Sequence, residues 1–305
     1  MTSIQVQKLR TLTGHRDGVY TVVAGETPSQ FFSAAGDGMV VQWDLSGPDE
    51  GELIAQLPSS VYSLLHVNGL LVAGQNYDGI HVLDWKARKE VSSLKTTDAA
   101  IFDLQSNNDN DILIASGDGA FTVVDLATMT IKARQIHSEK SARTIAVGAD
   151  IAVGYSDNFI RVFDRDTYSL KKEWQAHTNS VFALRYSPDG RFLLSGSRDA
   201  RLKAWDPAGD YRLAEEVVAH MYAINSLSFS ADGKHFVTCS LDKSIKLWDA
   251  GQLKLLKVID KARHAGHGTS VNKVLWTAYA GGDVRHGQVV SASDDRTISI
   301  WKFIF

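Results

Sequence analysis

An apolar residue followed by aspartate ends a short motif that recurs along the whole 305-residue chain. The copies read VVQWD, IHVLD, FTVVD, IRVFD, LKAWD, IKLWD and ISIWK, with lysine in place of aspartate in the last. They lie 39 to 53 residues apart, and their apolar marker residues are Trp43, Leu83, Val124, Phe163, Trp205, Trp248 and Trp301. A period of this length indicates small structural units that bury their apolar faces against one another. The chain is therefore predicted to contain seven such units.

Each unit has the pattern of several short strands. Apolar and polar residues alternate, or form short apolar runs, between clusters of turn residues such as SPDGR at 187–191 and SADGK at 230–234. Glycine after aspartate adopts positive φ at little steric cost and so favours a tight hairpin. Each unit is therefore predicted to form about four antiparallel strands, and no helical periodicity is sustained.

Composition limits the class of protein. Five prolines and no Gly/Ser-rich tract leave no obvious linker, so one domain over residues 1–305 is expected. A formal net charge of -3 argues against nucleic acid as a partner, because counterion release needs clustered lysine and arginine. No apolar run is long enough for a signal peptide or a membrane span, so no membrane partner is expected. The lone Cys239 has no internal disulfide partner, which fits the cytoplasm.

Two dipeptides connect the repeat to a known family. GH at residues 14–15 and WD at residues 43–44, 205–206 and 248–249 resemble the signature of WD-repeat β-propellers, and the repeat extends this resemblance over the whole chain. The resemblance implies an all-β fold, namely a single seven-bladed β-propeller made of four-stranded antiparallel blades.

The two ends of the chain fit the way in which this family closes its ring. The resemblance implies that an N-terminal strand of about residues 4–12 completes the last blade. The chain ends at residues 298–305, one strand short of a full blade. Joining the two ends would cover sheet edges that otherwise promote aggregation.

Histidine, serine and aspartate, the residues of a hydrolytic triad, recur with tryptophan at matched spacings. A catalytic triad occurs once, beside a substrate pocket, whereas this set occurs in four units. A buried network is therefore predicted, in which aspartate accepts from histidine and the hydroxyl lies between histidine and indole. The four tetrads are His15, Ser33, Asp37, Trp43; His177, Ser195, Asp199, Trp205; His220, Thr238, Asp242, Trp248; and His267, Ser291, Asp295, Trp301.

The other units depart from this pattern in a consistent way. Polar partners are lost together in the third and fourth units, where apolar residues take the serine and tryptophan positions: Ile114 with Val124, and Val153 with Phe163. Asp118 and Asp157 remain and are expected to bond turn amides. His137 is one position out of register and is expected to be partly solvated, with Asp157 still open as its partner. The second unit has no loop histidine and is one residue short between Asp78 and Leu83, so it departs most from the common spacing.

One position in each unit is a candidate for binding. It lies five residues after the loop histidine or its aligned place, at the start of the innermost strand, and holds Tyr20, Tyr62, Phe102, Arg143, Phe182, Asn225 and Asn272. In the WD-repeat family this position opens onto the narrower top face, around the mouth of the central channel. The residue before the turn aspartate adds Tyr77, Arg198, Leu241 and Asp294 to that face.

Four aromatic residues and an arginine at one rim are typical of protein-binding hot spots. The hypothesis is that this face binds a peptide or loop of another protein, with Arg143 and Arg198 favouring an acidic one. The alternative is that the aromatic residues only cap the channel and pack on neighbouring blades.

The predicted function is that of a non-catalytic scaffold or adaptor, monomeric by itself and without a cofactor. The alternative is a constitutive subunit of a stable complex that uses its rim or bottom loops, and a propeller hydrolase is the least favoured. His264 and His267 have metal-ligand spacing, but His267 belongs to a tetrad and no second donor pair is present, so no metal is predicted. The long loop 277–288 of the last unit, with Asp283, Arg285 and His286, is either a docking element or a tolerated insertion.

Overall fold

Seven antiparallel sheets of four strands each form a ring in the computed structural model of the protein, which describes residues 4–280 and 287–305. Within these residues the regular structure consists of 28 strands and one helix of four residues. The prediction of a seven-bladed all-β propeller is confirmed. The first strands of adjacent blades contact each other all round the ring, including those of the first and last blades.

The strands follow each other from the innermost to the outermost within each blade. The first strand of the chain, β1 (Gln5–Leu12), belongs to the last blade. Blade 1 contains β2 (Val19–Ala24), β3 (Gln30–Ala35), β4 (Met39–Asp44) and β5 (Glu52–Gln56). Blade 2 contains β6 (Val61–Val67), β7 (Leu70–Gln75), β8 (Gly79–Asp84) and β9 (Lys89–Leu94). Blade 3 contains β10 (Ile101–Ser106), β11 (Asp111–Ser116), β12 (Ala120–Asp125) and β13 (Thr130–Ile136).

The remaining four blades repeat this order. Blade 4 contains β14 (Ala142–Val147), β15 (Ile151–Tyr155), β16 (Phe159–Phe163) and β17 (Leu170–Gln175). Blade 5 contains β18 (Val181–Tyr186), β19 (Leu193–Ser197), β20 (Arg201–Asp206) and β21 (Arg212–Val218). Blade 6 contains β22 (Ile224–Phe229), β23 (His235–Ser240), β24 (Ile245–Asp249) and β25 (Lys254–Ile259). Blade 7 contains β26 (Val271–Trp276), β27 (Val289–Ser293), β28 (Ile298–Ile304) and β1.

The hydrophobic core lies between the blades. Every residue of β3, β11, β15, β19 and β27 is buried, because adjacent blades cover both faces of the second strand. Each apolar cluster accordingly draws on two neighbouring blades, as where Phe32 of blade 1 packs with Leu71 and Leu83 of blade 2. The outermost strands are more polar and exposed, as in β9 and β21.

The N-terminal strand closes the ring as predicted. β1 pairs antiparallel with β28, so that Val6 lies opposite Phe303 and Leu12 opposite Ile298. Val6 packs against a core cluster that contains Trp301 and Phe303, and Leu12 belongs to the cluster between blades 7 and 1. The last blade therefore takes its outermost strand from the other end of the chain.

The two ends of the ring have different roles. We call the end at which the innermost strands begin the top face; it also carries the turns between the second and third strands. The bottom face carries the predicted Asp-Gly turns, in which Gly190 and Gly233 have φ of +71° and +69°. These values confirm that the glycines supply positive φ in tight hairpins.

The last repeat unit, which forms blade 7, is longer than the others and has two insertions: one before His267 and one between its first two strands. The first forms α1 (Lys261–His264), a single turn whose start is capped by the Asp260 carboxylate through the Arg263 amide. Sequence periodicity could not predict this helix, because four residues are too few to show a helical repeat of apolar positions. The second insertion, interpreted from the sequence as either a docking element or a tolerated insertion, lies between β26 and β27, and its residues Asp283, Arg285 and His286 lie outside the described residues.

Candidate functional site

The tetrad of blade 1 joins the loop that enters the blade to its second and third strands. His15 places Nδ1 3.2 Å from an Asp37 carboxylate oxygen and Nε2 2.8 Å from the Ser33 hydroxyl. The Trp43 indole N–H donates to the same hydroxyl at 2.8 Å. The Asp37 carboxylate also accepts from the Arg16 amide at 2.7 Å. Every polar group of the set therefore has a partner, as the sequence predicts for a structural network.

The other three tetrads have the same geometry. The distance from histidine Nε2 to the hydroxyl is 2.7 to 2.8 Å, and the distance from the indole nitrogen to the hydroxyl is 2.8 to 2.9 Å. Histidine Nδ1 lies 2.9 to 3.0 Å from the aspartate in each. Ser33, Ser195, Thr238 and Ser291 are fully buried, so no substrate can reach their oxygens. The arrangement ties each entry loop to the second and third strands of its own blade, and the tetrads offer no accessible nucleophile.

The pKa shifts of the tetrad residues agree with a structural role. Burial lowers the pKa of His177 and His220, which keeps both imidazoles neutral near pH 7. Burial alone would raise the pKa of the partner carboxyls. Hydrogen bonds from the histidines and from backbone amides nevertheless hold the pKa of Asp199 and Asp242 below the usual range. A neutral imidazole with its proton on Nδ1 donates to the aspartate and accepts from the hydroxyl at Nε2, which satisfies both ring nitrogens.

Blade 3 replaces its tetrad by a smaller network. Thr97 stands where other units have histidine, and its hydroxyl donates to Asp118 at 2.8 Å. Asp118 also accepts from the Ala120 amide at 3.2 Å, as predicted for a turn aspartate. Ile114 and Val124, which take the serine and tryptophan positions, are fully buried in one apolar cluster. The blade therefore keeps its turn without leaving a polar partner unpaired.

Blade 4 uses an arginine where the histidine network is missing. Asp157 accepts from the Phe159 amide at 3.1 Å and from Arg161 Nη1 at 2.9 Å. His137 is exposed and pairs with Gln135 at 2.9 Å, which settles the choice left open for its partner. The sequence missed Arg161 because its position in the third strand carries no signature. In blade 2, His81 lies on the third strand, and its Nε2 is 3.6 Å from a carboxylate oxygen of the turn aspartate Asp78.

The seven predicted channel-mouth residues line one cavity of about 300 Å³ at the top of the channel, together with Ser270. Each is the residue at which the pairing of the first and second strands shifts by one, so each is the extra residue of a β-bulge. A bulge leaves one residue unpaired and turns its side chain away from the regular alternation. The sequence placed these residues at the strand starts but did not predict the bulge that orients them.

Five of these side chains form a continuous arc over blades 1 to 5. The rings of Tyr20 and Tyr62 stack at 4.9 Å, and the ring of Phe102 lies 5.8 Å from Tyr62. The Arg143 guanidinium then lies 4.0 Å from the Phe102 ring centroid and 5.2 Å from that of Phe182. All five are half-buried. We call these five residues the aromatic arc; they pack across blades and also line the cavity.

The mouth residues of blades 6 and 7 have a different role. Asn225 donates to the Val271 carbonyl at 2.9 Å, and Asn272 donates to the Val19 carbonyl at 3.1 Å. Each amide thus joins its own blade to the next one round the ring. Asn272 also donates to Asp294 at 2.6 Å. The two asparagines therefore hold neighbouring blades together at the mouth, while the aromatic arc supplies its apolar surface.

The charges around the mouth are uneven. Burial lowers the pKa of Arg143, and the nearby charge of Arg198 lowers it further. On the opposite side of the arc, burial, Tyr62 and the carboxylates of Asp17 and Asp294 raise the pKa of Tyr20. The mouth therefore has a cationic side at blades 4 and 5 and an anionic side at blades 7 and 1.

The other residues predicted for the top face lie outside the cavity at the channel mouth. Tyr77 is 66% exposed and Leu241 50% exposed, and Arg198 is also exposed. The sequence missed two neighbours of Leu241 in the loop that enters blade 6: Met221 is 79% exposed and Tyr222 57% exposed. A comparison of the loops would have found them, because the two residues after the tetrad histidine are polar or glycine in the other three tetrad units.

Two other kinds of site were sought in the described part of the chain. Among residues 4–280 and 287–305, no group of three or more His, Cys, Asp or Glu side chains is placed to hold a metal ion. No helix of those residues is long and apolar enough to span a membrane.

Comparison with protein families accounts for the uneven repeats. The family described as "WD domain, G-beta repeat" matches residues 6–44, 168–206, 213–249 and 260–302, just over half of the chain. These four segments are the ones that contain the complete tetrads. The chain belongs to the WD-repeat family. The unmatched WD-repeat blades, 2 to 4, are those in which the network has been replaced.

Curated relatives share the repeats at low identity. Mouse striatin is 23% identical over 236 residues, which are 67% of this chain and 30% of striatin. Drosophila melanogaster protein lethal(2)denticleless is 27% identical over 225 residues, 66% of this chain and 28% of that protein. WD repeat protein iqw1 of Schizosaccharomyces pombe is 43% identical over 67 residues, 19% of this chain and 8% of that protein. The chain spans a third or less of the length of these relatives.

Proposed function

We propose that this protein is a non-catalytic scaffold that binds a peptide or an extended loop of another protein on its top face, across the channel mouth. The observation that carries the proposal is the aromatic arc, in which four rings and one guanidinium from five blades line a single cavity. Membership of the WD-repeat family agrees with a role in protein interaction.

The physical reason is the energy that such side chains contribute. Aromatic residues and arginine bury large areas with few rotatable bonds, and they dominate measured binding hot spots. Their packing against each other holds the rings in place before a ligand arrives, which reduces the entropy lost on binding. The exposed Met221, Tyr222 and Leu241 extend the apolar surface towards blade 6. A peptide that crosses the mouth can therefore make contacts beyond the cavity.

A second candidate is a constitutive subunit of a stable complex that uses the bottom loops. A cavity of about 430 Å³ between blades 5 and 6 favours it, lined by residues of 187–192, 232–235 and 249–251. This surface mixes charges of both signs with Pro188 and Phe192. It lacks the aromatic continuity of the mouth, which is why the top face is preferred.

The experiment compares two triple variants in affinity capture from native lysate with quantitative mass spectrometry. The top-face variant is Tyr20→Ala, Phe102→Ala, Phe182→Glu. The matched rim variant is Leu53→Ala, Ile131→Ala, Leu213→Glu, at apolar residues that are 43 to 47% exposed on the outermost strands. Loss of hot-spot aromatics is expected to reduce recovery of the partner by roughly tenfold or more. The rim variant should recover it in full.

Both variants are first checked for unchanged circular dichroism and melting temperature. Partners lost with the rim variant and retained by the top-face variant would transfer the proposal to the outer surface. Partners retained by both would favour the bottom loops.

A further inference from the structure

Arg143 is the one channel-mouth residue with a charge, and its contacts leave that charge uncompensated. Its Nε donates to the Ser156 hydroxyl at 2.9 Å, and its guanidinium lies against the rings of Phe102 and Phe182. In the part of the chain that the structure describes, no carboxylate forms an ion pair with it and neither Nη group has a hydrogen-bond partner. Arg143 lines the cavity, so both Nη groups can donate hydrogen bonds to a ligand that binds there.

An arginine in this position carries an energetic cost that a ligand can relieve. A half-buried charge without a counterion is poorly solvated, so a pairing anion gains more there than at an open surface. The flanking rings prevent the side chain from turning away, which preserves the planar geometry that matches a carboxylate. The second cation, Arg198, is exposed beside it and raises the local positive potential.

The opposite side of the mouth limits where an anion can bind. Asp17 and Asp294 are exposed near Tyr20 and repel an acidic group there. A lysine or arginine of a ligand would in turn be repelled by Arg143 and Arg198. The charge distribution therefore selects both the sign of the bound group and its place, over blades 3 to 5.

Resting on the proposed function, we infer that Arg143 binds the side-chain carboxylate of an aspartate or glutamate in the partner's peptide. The two Nη groups donate to the two carboxylate oxygens, while flanking apolar side chains of the peptide pack on the aromatic arc. A carboxylate fits better than a phosphate because the mouth supplies one half-buried guanidinium and one exposed arginine, whereas a doubly charged phosphate commonly needs a cluster of cations. Arg143 is thus assigned as the residue that determines specificity.

The test begins with a phage-displayed library of random 12-residue peptides selected on the 305-residue chain. Three proteins are used: wild type, Arg143→Gln and Arg191→Gln. Arg191 is the matched control because it also lies against a phenylalanine, with its guanidinium 5.1 Å from the Phe192 ring, but on the bottom face. Peptides selected on wild type and on Arg191→Gln should be enriched in one aspartate or glutamate position, and this enrichment should vanish on Arg143→Gln.

A double-mutant cycle then measures the pairing itself. The acidic residue of the strongest peptide is changed to its amide, and binding is measured by isothermal titration calorimetry. On wild type this change should weaken binding about tenfold or more, as expected for a lost charge-assisted pair. On Arg143→Gln it should change Kd by less than about twofold, because the partner is already absent. Arg143→Lys should give an intermediate result, since lysine lacks the bidentate geometry.

The outcomes separate this inference from the proposed function. Peptides that are lost with the top-face variant but show no acidic preference would overturn the role of Arg143 and leave top-face binding intact. Recovery of no peptide that depends on the top face would contradict both. A phosphoserine version that binds wild type more than tenfold tighter than the glutamate version, and depends on Arg143, would overturn the choice of a carboxylate. Unchanged melting of Arg143→Gln shows that its effect is local.

Discussion

Replacing Ser195 by alanine is expected to destabilise the protein by roughly 2 to 6 kcal/mol. The change leaves His177 Nε2 and Trp205 Nε1 buried without their shared partner, and each unpaired buried polar group costs about 1 to 3 kcal/mol. In the wild-type protein, His177 Nε2 lies 2.7 Å and Trp205 Nε1 lies 2.8 Å from the serine oxygen. The measurement is urea unfolding followed by circular dichroism.

Ser195→Thr is the matched control. Blade 6 has Thr238 at this position with the same hydrogen bonds, so a threonine hydroxyl can replace serine. This variant is expected to lose less than about 1 kcal/mol, since it keeps the hydrogen bonds. If Ser195→Ala were as stable as wild type and abolished a hydrolytic activity instead, the structural account of the tetrads would be wrong.

Removing residues 1–12 is expected to have the second large effect, because it deletes the strand that closes the ring. Leu12 belongs to a core cluster, and full burial of such a side chain contributes about 1.5 to 3 kcal/mol. Val6 and Leu9 are partly buried against core clusters and contribute less each. The deletion also exposes the edge of β28, which favours aggregation. A melting temperature lowered by about 10 °C or more and the appearance of aggregates that wild type does not form are expected, measured by scanning calorimetry and size-exclusion chromatography.

Rescue by a peptide separates strand closure from a general effect of truncation. A synthetic peptide of residues 4–12 should bind the truncated protein and restore part of its melting temperature. The same peptide with lysine in place of Val6, Leu9 and Leu12 should not. A truncated protein that elutes and melts like wild type would contradict the role of β1 in closure.

The repeat and the polar spacings allowed much of the architecture to be predicted. Seven units follow from the marker residues, and closure follows from the family resemblance together with the missing last strand. The tetrads were predictable because buried polar groups constrain each other: a histidine that donates to aspartate also needs a hydroxyl, and that hydroxyl serves the indole. Such mutual requirements leave a fixed spacing in the sequence.

Other features leave no such trace. The bulge that directs Tyr20 or Arg143 into the mouth depends on how two strands pair, and a one-residue shift of pairing is invisible in composition. The partner of His137 was not predictable because it is exposed and has several possible neighbours. Arg161 lies only four residues after Asp157, but no other blade has arginine at the aligned position, so the repeat gives no signal for this pair. Sequence therefore indicates the frame better than it indicates contacts made by long, flexible side chains.

The most direct test of top-face binding is site-specific photocrosslinking. A benzoylphenylalanine at Tyr62, at the centre of the aromatic arc, is compared with one at Leu213 on the outer strand of blade 5, with a native lysate as the source of partners. The proposed function predicts that the probe at residue 62 forms a covalent adduct with the captured partner and that the probe at residue 213 does not. An adduct formed from residue 213 and absent from residue 62 would contradict it.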